Sequence, residues 1–456
     1  MRRPILIVLS LAIAPLGHAA AVQPLAVRQL QVQPRADVAD LVCQKSFRLA
    51  RPTAPANPDP MEIPTDDLFE AMPPEDRMPP QGSPSERPRL GYGGFRMAIW
   101  GDSHLAAGFF TDELVKILGV PADSVSNQLL PANMGRPGVR LPLRRSCVSS
   151  QWKYEPGYLG RDNASTPGPG LMNMFSDQAG STLAWDLRKD ARSPGYERVR
   201  ILYQQTDTPM VVAIGIDGQD GQEVTLDGTA GPAVLELVAA QPVRQVSLRL
   251  VDARFRLHGL ELLAKQAHGF EMDVFGYPGA TVAGWKSARP DYLNAWFGQP
   301  DARPGYQLVM LEFGTNEGNV KPFDPAAYRS TLAESVRNMR TAFPAAACVL
   351  IAPGDRGILV PRSTNRRKKG KPARAIDLLV YSRIHAEIGR IQANVATEAG
   401  CSAWSMQDAM GGPGQAYRWA RQSPALMAPD LIHFTVAGYQ RLAQKFARDM
   451  GWTPLQ

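Results

Sequence analysis

Three residues of this 456-residue chain are of the types that together perform acyl transfer, although they lie far apart: Ser103, Asp430 and His433. A serine hydroxyl is a weak nucleophile and needs a neighbouring base. His433 is the candidate base. Asp430 stands three residues ahead of it in Asp430-Leu431-Ile432-His433. A carboxylate there can accept from one ring nitrogen and leave the other facing the serine. Charge developing on a carbonyl oxygen also needs donors. The main-chain N–H of Ser103 is one. Gly279, in Tyr277-Pro278-Gly279-Ala280-Thr281, offers a second from a loop that permits close backbone approach. Asn316, in Gly314-Thr315-Asn316-Glu317, offers a side-chain amide. Each well-placed donor is worth about 2.7–4 kcal/mol in the transition state. Chemistry of this kind needs no metal or organic cofactor.

These residues need a scaffold that makes them converge. Phe95 to Trp100 is a short apolar strand, Gly101-Asp102-Ser103 a tight turn, and Leu105 to Leu118 an amphipathic helix closed by Gly119 and Pro121. Strand, turn and helix begin an α/β unit, which places ligands at the carboxyl ends of its strands. Between about Val148 and Ala267 the pattern changes. Runs such as Val199 to Tyr203, Met210 to Ile216, Ala233 to Val238 and Val243 to Val251 are separated by Asp-Gly turns, the spacing of a β-sandwich or jelly roll. Leu183 to Leu187 and Leu257 to Leu263 are read as its closing edges. After Gly269 the α/β pattern resumes, with strands at Met272 to Phe275, Leu308 to Phe313 and Cys348 to Ala352, and helices at Ala327 to Phe343, Asp377 to Ala399 and Ala437 to Met450. The expected organisation is a leader at 1–21, a proline-rich extension at 22–90, an α/β domain at 91–148 and 269–456, and a β insertion at 149–268.

Gly101-Asp102-Ser103, Gly279, Gly314-Thr315-Asn316 and Asp430-x-x-His433, in that order, resemble the four blocks of the GDSL-type SGNH hydrolases. The resemblance implies a flavodoxin-like three-layer α/β/α fold with a parallel sheet. It implies Ser103 as nucleophile, His433 as base, Asp430 as its orienting acid, and Ser103, Gly279 and Asn316 as the oxyanion hole. Two positions depart from the family pattern. Glu317 stands where the family usually has Asp, and Phe275 or Gly276 stands where an asparagine usually precedes the second block's glycine. Gly276 and Gly284 therefore rival Gly279. A narrower resemblance is to the periplasmic peptidoglycan O-acetylesterases of Gram-negative bacteria. It rests on Ile99-Trp100-Gly101-Asp102-Ser103-His104 with the helix start after it, on a carbohydrate-binding-like β domain between the first two blocks, and on Met410-Gly411-Gly412 and Trp419 ahead of the last. It covers roughly Phe95 to Met450 and implies removal of acetyl from the 6-hydroxyl of muramic acid. Alternatives are an O-acetyltransferase or deacetylase on another exported polysaccharide, a non-catalytic carbohydrate-binding protein, and a lipase or thioesterase, against which the lack of a long apolar lid counts.

Met1 to Ala21 has the form of a secretory signal: Arg2 and Arg3, a short apolar run, then Ala19-Ala20-Ala21. A periplasmic location and an oxidising environment follow as expectations. Four cysteines allow three pairings. Cys348 and Cys401 fall in segments read as neighbouring strand ends, which leaves Cys43 with Cys147. Eleven prolines between Pro52 and Pro88 predict an extended arm. With 44% hydrophobic and 20% charged residues the chain can bury a core, and it has no long apolar run beyond the leader, which excludes a polytopic membrane protein. The net charge of +7 suits an anionic partner without saying which; the resemblance implies an acetylated cell-wall polysaccharide rather than nucleic acid. The run Arg366-Arg367-Lys368-Lys369-Gly370-Lys371 is a solvated loop or a contact for an acidic glycan. Trp152, Tyr154 and Tyr158 are core residues or sugar platforms. His258, His268 and His385 have no partners at metal-ligand spacing and are read as structural; His104 adjoins Ser103 but does not share its helix face, so it is read as taking no part in proton transfer, and Asp102 is read as a turn former.

Overall fold

Five strands buried on both sides need helices above and below them, and the chain supplies both layers. The computed structural model describes residues 25–35, 37–43, 61–64, 94–136, 138–161, 166–190, 192–297, 305–361, 376–452 and 454. The leader, most of the proline-rich arm and the basic run 366–371 lie outside these. The central sheet comprises β1 (Phe95–Gly101), β2 (Phe270–Gly276), β3 (Leu308–Glu312), β4 (Ala347–Ala352) and β5 (Ser402–Ser405). Its order is β2-β1-β3-β4-β5, and every neighbouring pair is parallel. Alternate residues divide between the two faces. Trp100, Val309, Leu311 and Leu350 pack under α5 (Pro325–Ala342) and α6 (Val380–Glu398), while Met97, Ile99, Met310 and Val349 pack under α2 (Phe109–Ile117) and α9 (Val436–Asp449). This is a three-layer α/β/α fold. The chain changes direction across the sheet between β1 and β3, where such folds leave a crevice at the strands' carboxyl ends.

A second body is built from two mainly antiparallel sheets. One runs in the order Ala26–Val32, Gly231–Val243, Tyr196–Gln205, Phe255–Leu263, Asn173–Ser176, Lys153–Glu155, with Gln128–Pro131 also paired to Phe255–Leu263. The other runs Gln222–Leu226, Met210–Ile216, Gln245–Asp252, Thr182–Asp186, Arg145–Val148. Val199, Ile201, Leu235 and Leu260 from the first share a core with Trp185, Val212, Ile214 and Leu248 from the second. This makes a β-sandwich. Leu129, Leu202 and Val234 face outward from the seven-stranded sheet into the core that holds Trp285, Leu293 and Trp296, so the sandwich is docked on the α/β body.

The structure corrects several sequence expectations. The helix expected from Leu105 to Leu118 is two helices, α1 (Ser103–Ala106) and α2, because Gly108 at φ 75° turns the chain between them. The sandwich does not begin at residue 149. Gln128–Pro131 and Arg145–Val148 already belong to it, and so does Ala26–Val32 from the arm, which pairs parallel with Gly231–Val243. Phe255–Leu263 is an interior strand, not a closing edge, being paired on both sides. Both expected disulfides form. Cys43–Cys147 ties the arm to the sandwich, and Cys348–Cys401 joins the start of β4 to the segment entering β5. The second closes a loop with a sequence separation of 53 residues. Replacing both Cys348 and Cys401 by Ser should therefore lower the unfolding free energy by about 2–4 kcal/mol, read from urea denaturation without reductant.

Candidate active site

Ser103 leaves the carboxyl end of β1 as the first residue of α1. Only glycine fits before the turn: a Cβ on Gly101 would stand 2.5 Å from Leu105 Cδ1 and 2.6 Å from Glu312 Oε2. Asp102 is fully buried. Its Oδ1 accepts from the His104 N–H at 2.9 Å, and its own N–H donates to Glu312 Oε2 at 3.1 Å. Burial raises both carboxyls, Asp102 to about 6, and the neighbouring charge of Asp102 raises Glu312 further, so Glu312 holds its proton beneath the serine. Asp102 is thus a turn former, as expected. Glu312, at the end of an apolar strand, was not singled out from the sequence; a carboxylate in a fully buried run was the available signal.

The second element is the turn ahead of α9. Asp430 Oδ1 accepts from the main-chain N–H groups of Ile432 and His433, both at 2.9 Å, and its Oδ2 accepts from His433 Nδ1 at 2.7 Å. One carboxylate therefore holds both the loop and the ring. Leu431 adopts a left-handed conformation, φ 57°, to make the bend. Its side chain is fully buried, its N–H donates to Ala428 O, and its carbonyl accepts from the Gly357 N–H, which hold it there. The other ring nitrogen, His433 Nε2, lies 2.9 Å from Ser103 Oγ. Residues 330 positions apart in sequence are in hydrogen-bond contact.

Charge follows this geometry. Burial pushes the Asp430 carboxyl up, but the hydrogen bonds from the His433 ring and from the two main-chain N–H groups outweigh it and hold the group at about 2. The hydrogen bond to Asp430 raises the His433 imidazole above its ordinary 6.5, against some desolvation. The ionised Asp430 fixes the proton on Nδ1 and leaves the Nε2 lone pair toward the serine.

The candidate donors come from two other loops. Asn316 follows β3, and its Nδ2 donates to Ala280 O at 2.9 Å, leaving one amide hydrogen free. Glu317 fastens the two loops together: Oε1 accepts from the Val282 N–H at 2.8 Å and Oε2 from the Gly314 N–H at 3.1 Å. The residue that departs from the family pattern is thus a staple, and burial raises its carboxyl to about 7. Gly279 lies in the stapled loop at φ 82°, with open space where a Cβ would be. Gly276 and Gly284 are close-packed instead, against Leu105 and Ala106 and against the Tyr158 backbone respectively. Among the three glycines, Gly279 alone has open space around its Cα.

The other histidines hold structural partners, although the His104 ring centre lies 5.4 Å from that of His433. His104 is buried against Tyr439, with Nδ1 3.1 Å from its hydroxyl, and burial holds its pKa near 3. His258 bonds Asn173 and Tyr292, and His385 bonds Gly354 O. Trp152 and Tyr158 are core residues. No cluster of three metal-ligating side chains occurs among the described residues. No helix among them is long and apolar enough to cross a membrane.

Residues 252–441 match the model of the GDSL-like lipase/acylhydrolase family. That stretch includes Gly279, Asn316, Asp430 and His433 but not Ser103. No curated protein matches the sequence. The fold is similar to that of a solved peptidoglycan O-acetylesterase, at 22% identity and a TM-score of 0.57, over 78% of this chain and 91% of that one. A family two carbohydrate esterase with a carbohydrate-binding domain from Corynascus thermopiles (Myceliophthora fergusii) is matched at 12% identity, over 66% and 100%, with a TM-score of 0.26. One from Clostridium thermocellum is matched at 10%, over 61% and 95%, with a TM-score of 0.25. These last two scores are too low to bear on the argument.

The arrangement generates two expectations. Because the raised imidazole must be neutral to accept a proton, hydrolysis of an aryl acetate should fall as pH drops through a value above 6.5. Asp430→Asn should move that limb to lower pH and reduce kcat by several orders of magnitude, on the order of 10⁴; a pH–rate profile of both proteins checks it. Glu317→Gln replaces one acceptor with a donor facing an N–H group. It should cost about 1–3 kcal/mol of stability and lower kcat more than it raises KM, read by thermal melting and steady-state kinetics.

Proposed function

We propose that this chain, a GDSL-type SGNH hydrolase resembling peptidoglycan O-acetylesterases and by its chemistry a carboxylic ester hydrolase, removes O-acetyl groups from a cell-wall glycan, with the 6-O-acetyl of muramic acid in peptidoglycan as the favoured substrate. The observation that carries the reading is the hydrogen-bonded series of Asp430, His433 and Ser103. Ser103 Oγ attacks the acetyl carbonyl while His433 Nε2 takes its proton. The oxyanion faces the N–H groups of Ser103 and Gly279 and the free amide hydrogen of Asn316, none of them used by a partner among the described residues. His433 then returns the proton to the departing sugar oxygen. Water, deprotonated by the same imidazole, attacks the acetyl-serine and releases acetate.

The glycan part of the reading is supported by the β-sandwich docked beside the α/β body, an economical way to hold a polymer near the serine. The leader-like start of the sequence and the two disulfides suit a periplasmic protein. Acetate release from O-acetylated peptidoglycan, acetylated xylan and an aryl acetate tests the proposal. The wild type should favour peptidoglycan over xylan by at least about tenfold in kcat/KM, a difference of ~1.4 kcal/mol. Ser103→Ala should lose activity on all three by a factor on the order of 10⁶, without loss of fold. Equal rates on the two polymers would remove the peptidoglycan assignment, and an active Ser103→Ala would remove the mechanism.

A further inference from the structure

The loop after β4, Pro353 to Ile358, runs along the turn that carries His433, its Gly357 N–H donating to Leu431 O at 3.0 Å. Arg356 projects from this loop. Its Nη1 donates to Asn319 Oδ1, three residues beyond Asn316. The guanidinium is therefore tied to the loop that carries the amide donor, while the next residue, Gly357, is tied by its backbone to the turn with the imidazole. Burial lowers the Arg356 pKa, with Tyr381 and Asp430 partly offsetting it, and the Arg356 charge in turn opposes protonation of His433. Arg356 also sits over the Tyr381 ring, with Cζ 4.0 Å from its centre, and Lys321 Nζ is 4.1 Å from the same centre.

Two cations meet one aromatic ring here, and neither has an acidic partner within ion-pair distance among the described residues. Their neighbours differ. Arg383, two residues after Tyr381 on α6, is paired with Asp377, and Glu387 with Arg390. Arg356 Nε is buried with no hydrogen-bond partner. Two like charges sharing a ring, one with a donor unused, cost free energy that a bound anion would recover. A planar guanidinium with free N–H groups matches the two oxygens of a carboxylate. A hollow of about 450 Å3, lined by Lys321, Pro322, Phe323, Val380, Ile384 and Glu387, shares Lys321 with the cluster and includes none of the acyl-transfer residues.

We propose that Arg356, Lys321 and Tyr381 form a subsite for a carboxylate carried by the acetylated glycan close to the ester. The inference rests on the esterase reading and deepens it: the preferred substrate is an acidic sugar. Two sources share this chemistry, the lactyl group of a muramic acid whose carboxylate carries no stem peptide, and the carboxylate of a uronic acid.

The test uses the full chain and competition against aryl acetate hydrolysis by N-acetylmuramic acid, N-acetylglucosamine and glucuronic acid. N-acetylmuramic acid and N-acetylglucosamine differ by the lactyl carboxylate. The wild type should be inhibited by an acidic sugar at a concentration at least about tenfold lower than by N-acetylglucosamine, a gap that narrows with salt. Arg356→Gln should abolish the gap, Lys321→Met should reduce it, and Arg356→Lys should retain part of it. The readout is a ratio of inhibition constants, so it does not depend on how each variant turns over the aryl acetate. Muramic acid as the better inhibitor assigns the lactyl source; glucuronic acid as the better one assigns a uronate. No gap in the wild type, or an undiminished gap in Arg356→Gln, overturns the subsite. Failure of the peptidoglycan reading is seen separately, as equal acetate release from the two polymers with the carboxylate gap intact.

Discussion

A single carboxylate, that of Asp430, organises the reactive end of this molecule. Its two oxygens take three donors: two from the main chain of its own turn and one from the imidazole. Without it the turn would lose two backbone hydrogen bonds, Leu431 would have less to hold it in its left-handed bend, and His433 would lose both its tautomer and its aim. The group stays ionised because those donors outweigh its desolvation. Ser103 Oγ meets a ring fixed in this way.

The loops that carry the serine and the candidate donors achieve rigidity by different means. There the parallel sheet does the positioning, since β1 and β3 end at the same level, Gly101 beside Glu312. Two acidic side chains then pin loops to strands. Glu312 reaches the N–H of Asp102 under the serine, and Glu317 reaches two N–H groups in separate loops. Both carry raised pKa values because they are enclosed, so they act near neutral pH more as hydrogen-bonded struts than as exposed charges. The serine and the amide donor thus rest on buried carboxyls, and the histidine on an exposed one.

Much of this was legible from residue types in order. Ser103, Asn316, Asp430 and His433 could be placed because each sits where a strand or turn ends, and because the chemistry of acyl transfer allows few substitutes. The strands of the central sheet were legible because residues buried on both faces form continuous apolar runs. What escaped had no local signature. Gly108 breaks a helix whose apolar spacing continues across it. Ala26–Val32 has one buried residue, Leu30, so its pattern shows no clear face. Glu317 looked like a substitution of acid for acid, and only the positions of Val282 and Gly314 reveal what its extra methylene spans. Arg356 belongs to no motif and gains its neighbours only when the loops after β3 and β4 come together.

The strand Ala26–Val32 has a further bearing on how the molecule is made. It pairs parallel with Gly231–Val243 and becomes the outermost strand of the seven-stranded sheet itself. Yet it is the first strand synthesised, and the residue that Gln29 bonds, Glu236, comes 207 positions later. At ribosomal speeds of roughly 5–20 residues per second, the segment waits about 10–40 s for its partner to exist. The outermost strand of that sheet is therefore made long before there is a sheet to join, and the sandwich must keep a place open for an older part of the chain.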